Sequence, residues 1–426
     1  MPASPTPHRI LHGSLITEGR RVSEAAVVIG AGTVQWSGPV ADLPEEIRLG
    51  AEPVSIQASG EVIIAPGLVD QHHHGCFGMD FGASDEDTIR RMLPALYATG
   101  TTSVVASLVT ATLPLLVERI ELLATLVHEG LLSGIHLEGP FLAAGRCGAH
   151  DPALLRHPAD LDPAALLAAG DGALRSITYA PELRGGAELA RAALDRGLVP
   201  SVGHTQAPFE VTAAALRGIG EHLRAEAAPT STPGRRPTVT HLFNAMDPMH
   251  HRSPGTIAAS LQSAARSESV VELIADGTHM ADETAAAVFD MVGADNVALI
   301  TDSMAAAGLA DGEYRLGTLD VVVAEGVARL APTSGASAAD PSEKPSIAGG
   351  TATLLDVVRR TVAAGVGLES ALHSASGVPT RALGLHGGSV GVGTLRPGAA
   401  ADLVVLDEHA DGHLDLLHVM RRGETV

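Results

Sequence analysis

Six side chains in this sequence could together hold a metal ion and use it: His72, His74, Glu138, His204, His241 and Asp302. His72 and His74 close the run Ala65-Pro-Gly-Leu-Val-Asp-Gln-His-His-His-Gly75, which continues the apolar Val62-Ile-Ile. In an extended strand residues i and i+2 share a face, so both imidazoles can reach one ion while His73 points away. Glu138 ends Gly134-Ile-His-Leu-Glu, His204 ends Val199-Pro-Ser-Val-Gly-His, His241 ends Thr238-Val-Thr-His, and Asp302 ends Val297-Ala-Leu-Ile-Thr-Asp. Imidazole and carboxylate donors suit Zn²⁺, and also Fe²⁺, Mn²⁺ or Co²⁺. Such an ion lowers the pKa of a bound water toward ~7. Asp302 could then accept that proton and hand it to a leaving amine. The competing reading is a helix cap, because Ser303 and alanine-rich sequence follow it.

These residues need a scaffold that delivers many strand ends to one rim. Short β-rich runs (Ser103-Val-Val-Ala, Gly134-Ile-His-Leu, Ser176-Ile-Thr-Tyr-Ala, Val270-Val-Glu-Leu-Ile) alternate with Ala/Leu-rich helical stretches over 85–97, 113–128, 187–195 and 209–216. Repeated β-then-α order predicts a parallel sheet with right-handed crossovers, and about eight such units fit a closed (β/α)8 barrel, whose active site forms where the strands end. Both chain ends are strand-like: Arg9-Ile-Leu, Ala25-Ala-Val-Val-Ile-Gly and Thr33-Val-Gln-Trp at one, Ala401-Asp-Leu-Val-Val-Leu-Asp at the other. The expected division is a barrel over 63–385 between strand-like segments at 1–62 and 386–426. The Pro/Ser/Ala-rich stretches 225–237 and 331–345 read as surface loops.

The chain of 426 residues is 45% hydrophobic and can bury a large core. It carries a net charge of −21, which argues against nucleic acid or an anionic membrane as partner, so an anionic substrate needs a local basic group. No apolar run approaches a membrane span and no signal pattern opens the chain, so a cytoplasmic protein is expected. Two cysteines, Cys76 and Cys147, suit a reducing compartment.

The Pro-Gly-Leu-Val-Asp-x-His-x-His-Gly run resembles the first-strand signature of the amidohydrolase superfamily, metal-dependent hydrolases on a (β/α)8 barrel. Gly134-Ile-His-Leu-Glu-Gly-Pro-Phe-Leu142, Gly203-His-Thr205, His241-Leu-Phe-Asn-Ala-Met246, Arg252-x-Pro-Gly255, Ala275-Asp-Gly-Thr-His279 and Thr301-Asp-Ser-Met304 together resemble the N-acetylglucosamine-6-phosphate deacetylase family, over residues 62–407. The resemblance implies that the two chain ends pair into one small β-sandwich beside the barrel. It implies hydrolysis of the acetamide of an N-acetylated amino-sugar 6-phosphate, with Glu138, His204 and His241 as principal metal ligands and Asp302 as general base and acid.

Some members lack the first histidine pair and bind one ion; His72 and His74 leave one or two ions open here, with zinc the first choice. Many binuclear superfamily members bridge their metals with a carboxylated lysine. Lys344 is the single lysine and lies in a Pro/Ser-rich loop, so a glutamate could bridge instead or serve as the central ligand of one site. The resemblance also implies substrate contacts from Ala149, Asn244, Ala245, His279 and Ile347-Ala348-Gly349. It gives Arg252 to the 6-phosphate, commonly in the site of a neighbouring subunit, hence a homodimer. A dihydroorotase-like cyclic-amide hydrolase and a non-catalytic barrel scaffold are the competing readings, and the gluco or galacto epimer stays open.

Overall fold

The computed structural model describes residues 8–226, 234–332, 345–385 and 391–426. Lys344, most of the stretch 331–345 and residues 227–233 lie outside them, so the loop expectations there concern residues beyond the described ones.

Eight strands form one parallel sheet in chain order: β1 Leu68–His73, β2 Thr101–Val109, β3 Gly134–Glu138, β4 Leu174–Tyr179, β5 Val199–Val202, β6 Thr238–Val239, β7 Val270–Leu273 and β8 Val297–Leu299. The ring closes just past β8, where the Asp302 amide donates to the His72 carbonyl at 3.0 Å and the His74 amide to the Ser303 carbonyl at 2.8 Å. A (β/α)8 barrel is therefore the architecture, as the alternating pattern predicts.

The strands read as apolar runs because both faces are covered: all of β2 is buried except its last residue, which is partly so. The helices cover the outside through one stripe each. In Leu113–His128 the buried set is Leu116, Arg119, Ile120, Leu123, Ala124 and Leu126, the spacing of one helical face. Truncating a fully buried member such as Leu123 to alanine should cost about 2–5 kcal/mol. Helix Glu86–Ala98 starts where Asp85 accepts the Thr88 amide at 2.7 Å. Helix Phe209–Glu226 runs ten residues beyond the stretch expected to end at Leu216, because packing carries it through Gly218 and Gly220.

Inside the barrel, below the strand ends, the packing is polar. His136 on β3 meets the Ser107 hydroxyl at 3.0 Å and that of Thr178 at 2.8 Å. Thr178 meets Thr240 at 2.7 Å, and Thr240 meets Ser201 at 2.6 Å. This chain of hydrogen bonds satisfies groups that would otherwise be costly to bury.

The two ends of the chain pair, as the family resemblance implies. Leu403–Glu408 runs antiparallel to Glu61–Pro66, which lies beside His8–Thr17 in an eight-stranded sheet. Leu11, Val27, Ile29 and Ile64 from the N-terminal end and Leu403, Val405 and Met420 from the C-terminal end enclose a common core. A further sheet was not foreseen: Gly312–Leu316, Leu319–Ala324 and Val327–Leu330 form an antiparallel meander. Its core packs on Met304, Ala306 and Ala348, with Val109 and Ala149 against it, so it builds a wall above the strand ends.

Candidate active site

The side chains picked out from the sequence converge at the C-terminal rim in two clusters, His72, His74, Glu138 and Asp302, and Glu138, His204 and His241; within each the donor atoms lie within 4.8 Å of one another. Glu138 belongs to both. Its Oε1 is 2.9 Å from His204 Nε2 and 3.1 Å from His241 Nε2. Its Oε2 is 3.0 Å from His74 Nε2 and 3.5 Å from His72 Nε2. Asp302 Oδ1 faces the same two rings at 3.2 and 3.3 Å. His73 points elsewhere, as strand alternation requires, and packs near Phe81.

Backbone strain places three of these groups. His204, His241 and Asp302 have φ of 48°, 29° and 47°, a left-handed region that non-glycine residues rarely occupy. Each would cost about 1–3 kcal/mol and persists because the surroundings fix it. Here the His204 ring is bound to the Arg146 carbonyl, the His241 amide to Glu272 and the Asp302 amide to His72. Gly148 lets the loop before His150 approach: a Cβ there would lie 3.2 Å from His204 Cε1, on a backbone with φ of 58°.

The donor set fits a divalent cation on hydrogen-bonding grounds. His204 Nδ1 lies 2.8 Å from the Arg146 carbonyl oxygen, which can only accept, so Nδ1 carries the proton of the neutral ring. Its Nε2 lone pair then faces the Glu138 oxygen at 2.9 Å and the His241 Nε2 at 3.0 Å. Acceptors directed at one another need a positive centre among them. The charges agree. Burial works against charging His72 and His74, yet Asp302 and Glu138 outweigh it, raising His72 well above the ordinary histidine range and His74 to about 9. Burial alone would raise the Asp302 carboxyl, but His72 and His74 hold it well below the usual carboxylate range. The pocket calls for positive charge, which a bound cation supplies by displacing protons.

Above the clusters lies a cavity of about 600 Å³. Ala149, Asn244, Ala245, His279, Ile347, Ala348 and Gly349 all line it, together with Leu316 of the meander. His279 is held by Asp276, whose Oδ2 is 2.8 Å from its Nδ1. Arg252 is not on this wall; it is exposed, in a loop where its amide donates to His250 Nδ1.

Three residues escaped the sequence reading as site members. Arg146 lines the cavity and pairs with Asp247. His150 is buried with Nε2 3.4 Å from Glu138 Oε2. The Thr110 amide donates to its Nδ1, beside the Thr110 hydroxyl at 2.9 Å, which leaves the ring proton on Nε2, facing Glu138. Glu272 is the third; a carboxylate inside the apolar strand Val-Val-Glu-Leu was the available signal.

The fold and the paired donor clusters define a barrel hydrolase with a cation centre at its strand ends. The chain belongs to the amidohydrolase family, whose sequence model matches residues 63–426. Over 361 residues it is 33% identical to the N-acetylglucosamine-6-phosphate deacetylase of Homo sapiens, covering 82% of this chain and 80% of that one. Over 362 residues it is 31% identical to the N-acetylgalactosamine-6-phosphate deacetylase of Escherichia coli O157:H7, covering 83% and 86%. Among solved structures, an aspartate-to-alanine mutant of the Mycobacterium smegmatis N-acetyl-D-glucosamine-6-phosphate deacetylase, in complex with N-acetyl-D-glucosamine-6-phosphate, superposes with a TM-score of 0.82 at 36% identity over 99% of each chain. Among the described residues no helix is long and apolar enough to cross a membrane.

Proposed function

We propose that this chain hydrolyses the acetamide of N-acetyl-D-glucosamine 6-phosphate, releasing D-glucosamine 6-phosphate and acetate. The observation that carries the reading is Glu138, with one carboxylate oxygen toward each histidine pair and Asp302 beside it, at the floor of a cavity lined by the expected substrate-contact residues. Glu138, His204 and His241, with His72 and His74, would hold one or two divalent ions, zinc in first place. Such an ion supplies a water acidified toward ~7 and a Lewis acid for the acetyl oxygen.

The protein's own groups do the rest. Asp302, ionised among the histidines, accepts the water's proton and returns it to the departing amine. The Nε2–H of His150 offers a fixed donor to charge developing on the acetyl oxygen. Asn244, His279 aligned by Asp276, and the backbone at Ala149, Ala245 and residues 347–349 orient the sugar phosphate. Arg252 would read the 6-phosphate with its fork of donors. Its exposure away from its own cavity supports service to the neighbouring site of a homodimer. The catalytic unit would be 63–385, flanked by 1–62 and 386–426, in a cytoplasmic enzyme.

The likeness to an N-acetylgalactosamine-6-phosphate deacetylase makes the C4 epimer the alternative substrate. Acetate release from both epimers, measured beside the metal content of the same sample, tests the reading. Failure of metal-loaded protein to release acetate from either would refute it.

A further inference from the structure

We propose that Glu272 is a positioning residue that sets the His72 ring for cation binding. It sits within β7, 4% exposed, and belongs to neither donor cluster. Its Oε2 lies 3.2 Å from His72 Nδ1 and accepts the His241 amide at 3.2 Å. Its Oε1 accepts Gln71 Nε2 at 2.6 Å. A carboxylate can only accept, so the neutral His72 ring keeps its proton on Nδ1 and turns its Nε2 lone pair toward Glu138 and Asp302.

The electrostatics point the same way. Among the described residues Glu272 has no arginine or lysine partner, and His72 is its single ion-pair contact. A buried carboxylate without a cation is costly. Glu272 is therefore compensated through the imidazole, by positive charge on the far side of the ring. One carboxylate thus fixes a side chain from the first donor cluster and a backbone amide next to the second.

This inference rests on the reading of the site as a divalent-cation centre. It is tested by chelator competition for Zn²⁺ and by thermal unfolding, with and without Zn²⁺, of wild-type protein, Glu272→Gln and Glu272→Asp. The expected result is a 10- to 100-fold loss in affinity for the ion that depends on His72, as identified with His72→Gln. The metal-free melting temperature should be unchanged or higher in Glu272→Gln, and the rise on adding Zn²⁺ smaller than in the wild type. Glu272→Asp, which keeps the charge at a shorter reach, should fall between the two and serves alone if Glu272→Gln does not fold. Unchanged affinity for that ion, or equal destabilisation of the metal-free and loaded forms, overturns the inference and leaves the metal centre standing. Wild-type protein whose bound ion is insensitive to His72→Gln overturns the inference alone; wild-type protein that takes up no ion overturns both.

Discussion

The amide nitrogen of Asp302 donates to the carbonyl oxygen of His72 at 3.0 Å. This bond is among those that close the barrel, and it sets the proposed base against the first metal-binding strand. Asp302→Asn keeps that backbone bond and the side-chain shape but removes the proton acceptor. Its kcat should fall by about 10²–10⁴-fold, with metal content and melting temperature near those of the wild type. Acetate-release kinetics beside metal analysis check this; a variant with near-normal kcat removes Asp302 from proton transfer.

Arg252 gives a prediction that separates one subunit from two. Arg252→Ala should raise KM for the phosphorylated substrate by about 10- to 100-fold and change much less for unphosphorylated N-acetylglucosamine. If Arg252 serves the neighbouring site, mixed dimers of Arg252→Ala and Asp302→Asn contain one site with both residues intact. Activity of the mixture should then exceed the sum of the separate variants. No gain on mixing places Arg252 in its own subunit's site or outside the reaction.

Glu138 faces both histidine pairs through different oxygens. Glu138→Gln should therefore weaken every ion the protein holds, whereas His72→Gln should spare the ion at His204 and His241. Metal stoichiometry after dialysis distinguishes the cases. Chelation of the wild type should lower its melting temperature and abolish turnover, and re-addition of Zn²⁺ should restore both.

Acid should destabilise the fold through histidines buried in neutral form. Burial first, and the nearby charge of His72 second, hold His136 well below the ordinary histidine range; burial and His74 push His73 down to about 3. An unfolded histidine titrates near 6.5. Below that pH the unfolded chain binds protons that the folded one refuses, so stability is full above pH 6.5 and lost as pH falls toward the folded value. For His136 alone the slope approaches about 1.4 kcal/mol per pH unit. The stability advantage of wild type over His136→Gln, from denaturant unfolding of metal-free protein, should shrink between pH 7 and 5. An advantage constant with pH would mean that His136 titrates normally.

The sequence by itself determined the barrel and the residues at its rim. Barrel strands are short, apolar and buried on both faces, and here most carry, at or just past their ends, a group able to bind metal or carry a proton, so local pattern and local chemistry coincide. Only the tertiary structure decided how those groups are held. The contact between His72 and Glu272 spans 200 positions, and the bond that sets the His204 tautomer comes from the carbonyl of Arg146, which carries no side-chain signature. The meander Gly312–Leu330 became a cavity wall because Leu316 and its neighbours found apolar cover on Met304 and Ala348, a partnership no strand can declare alone. Periodicity records which face of an element must be buried; which residue meets it there is settled by the closing of the ring.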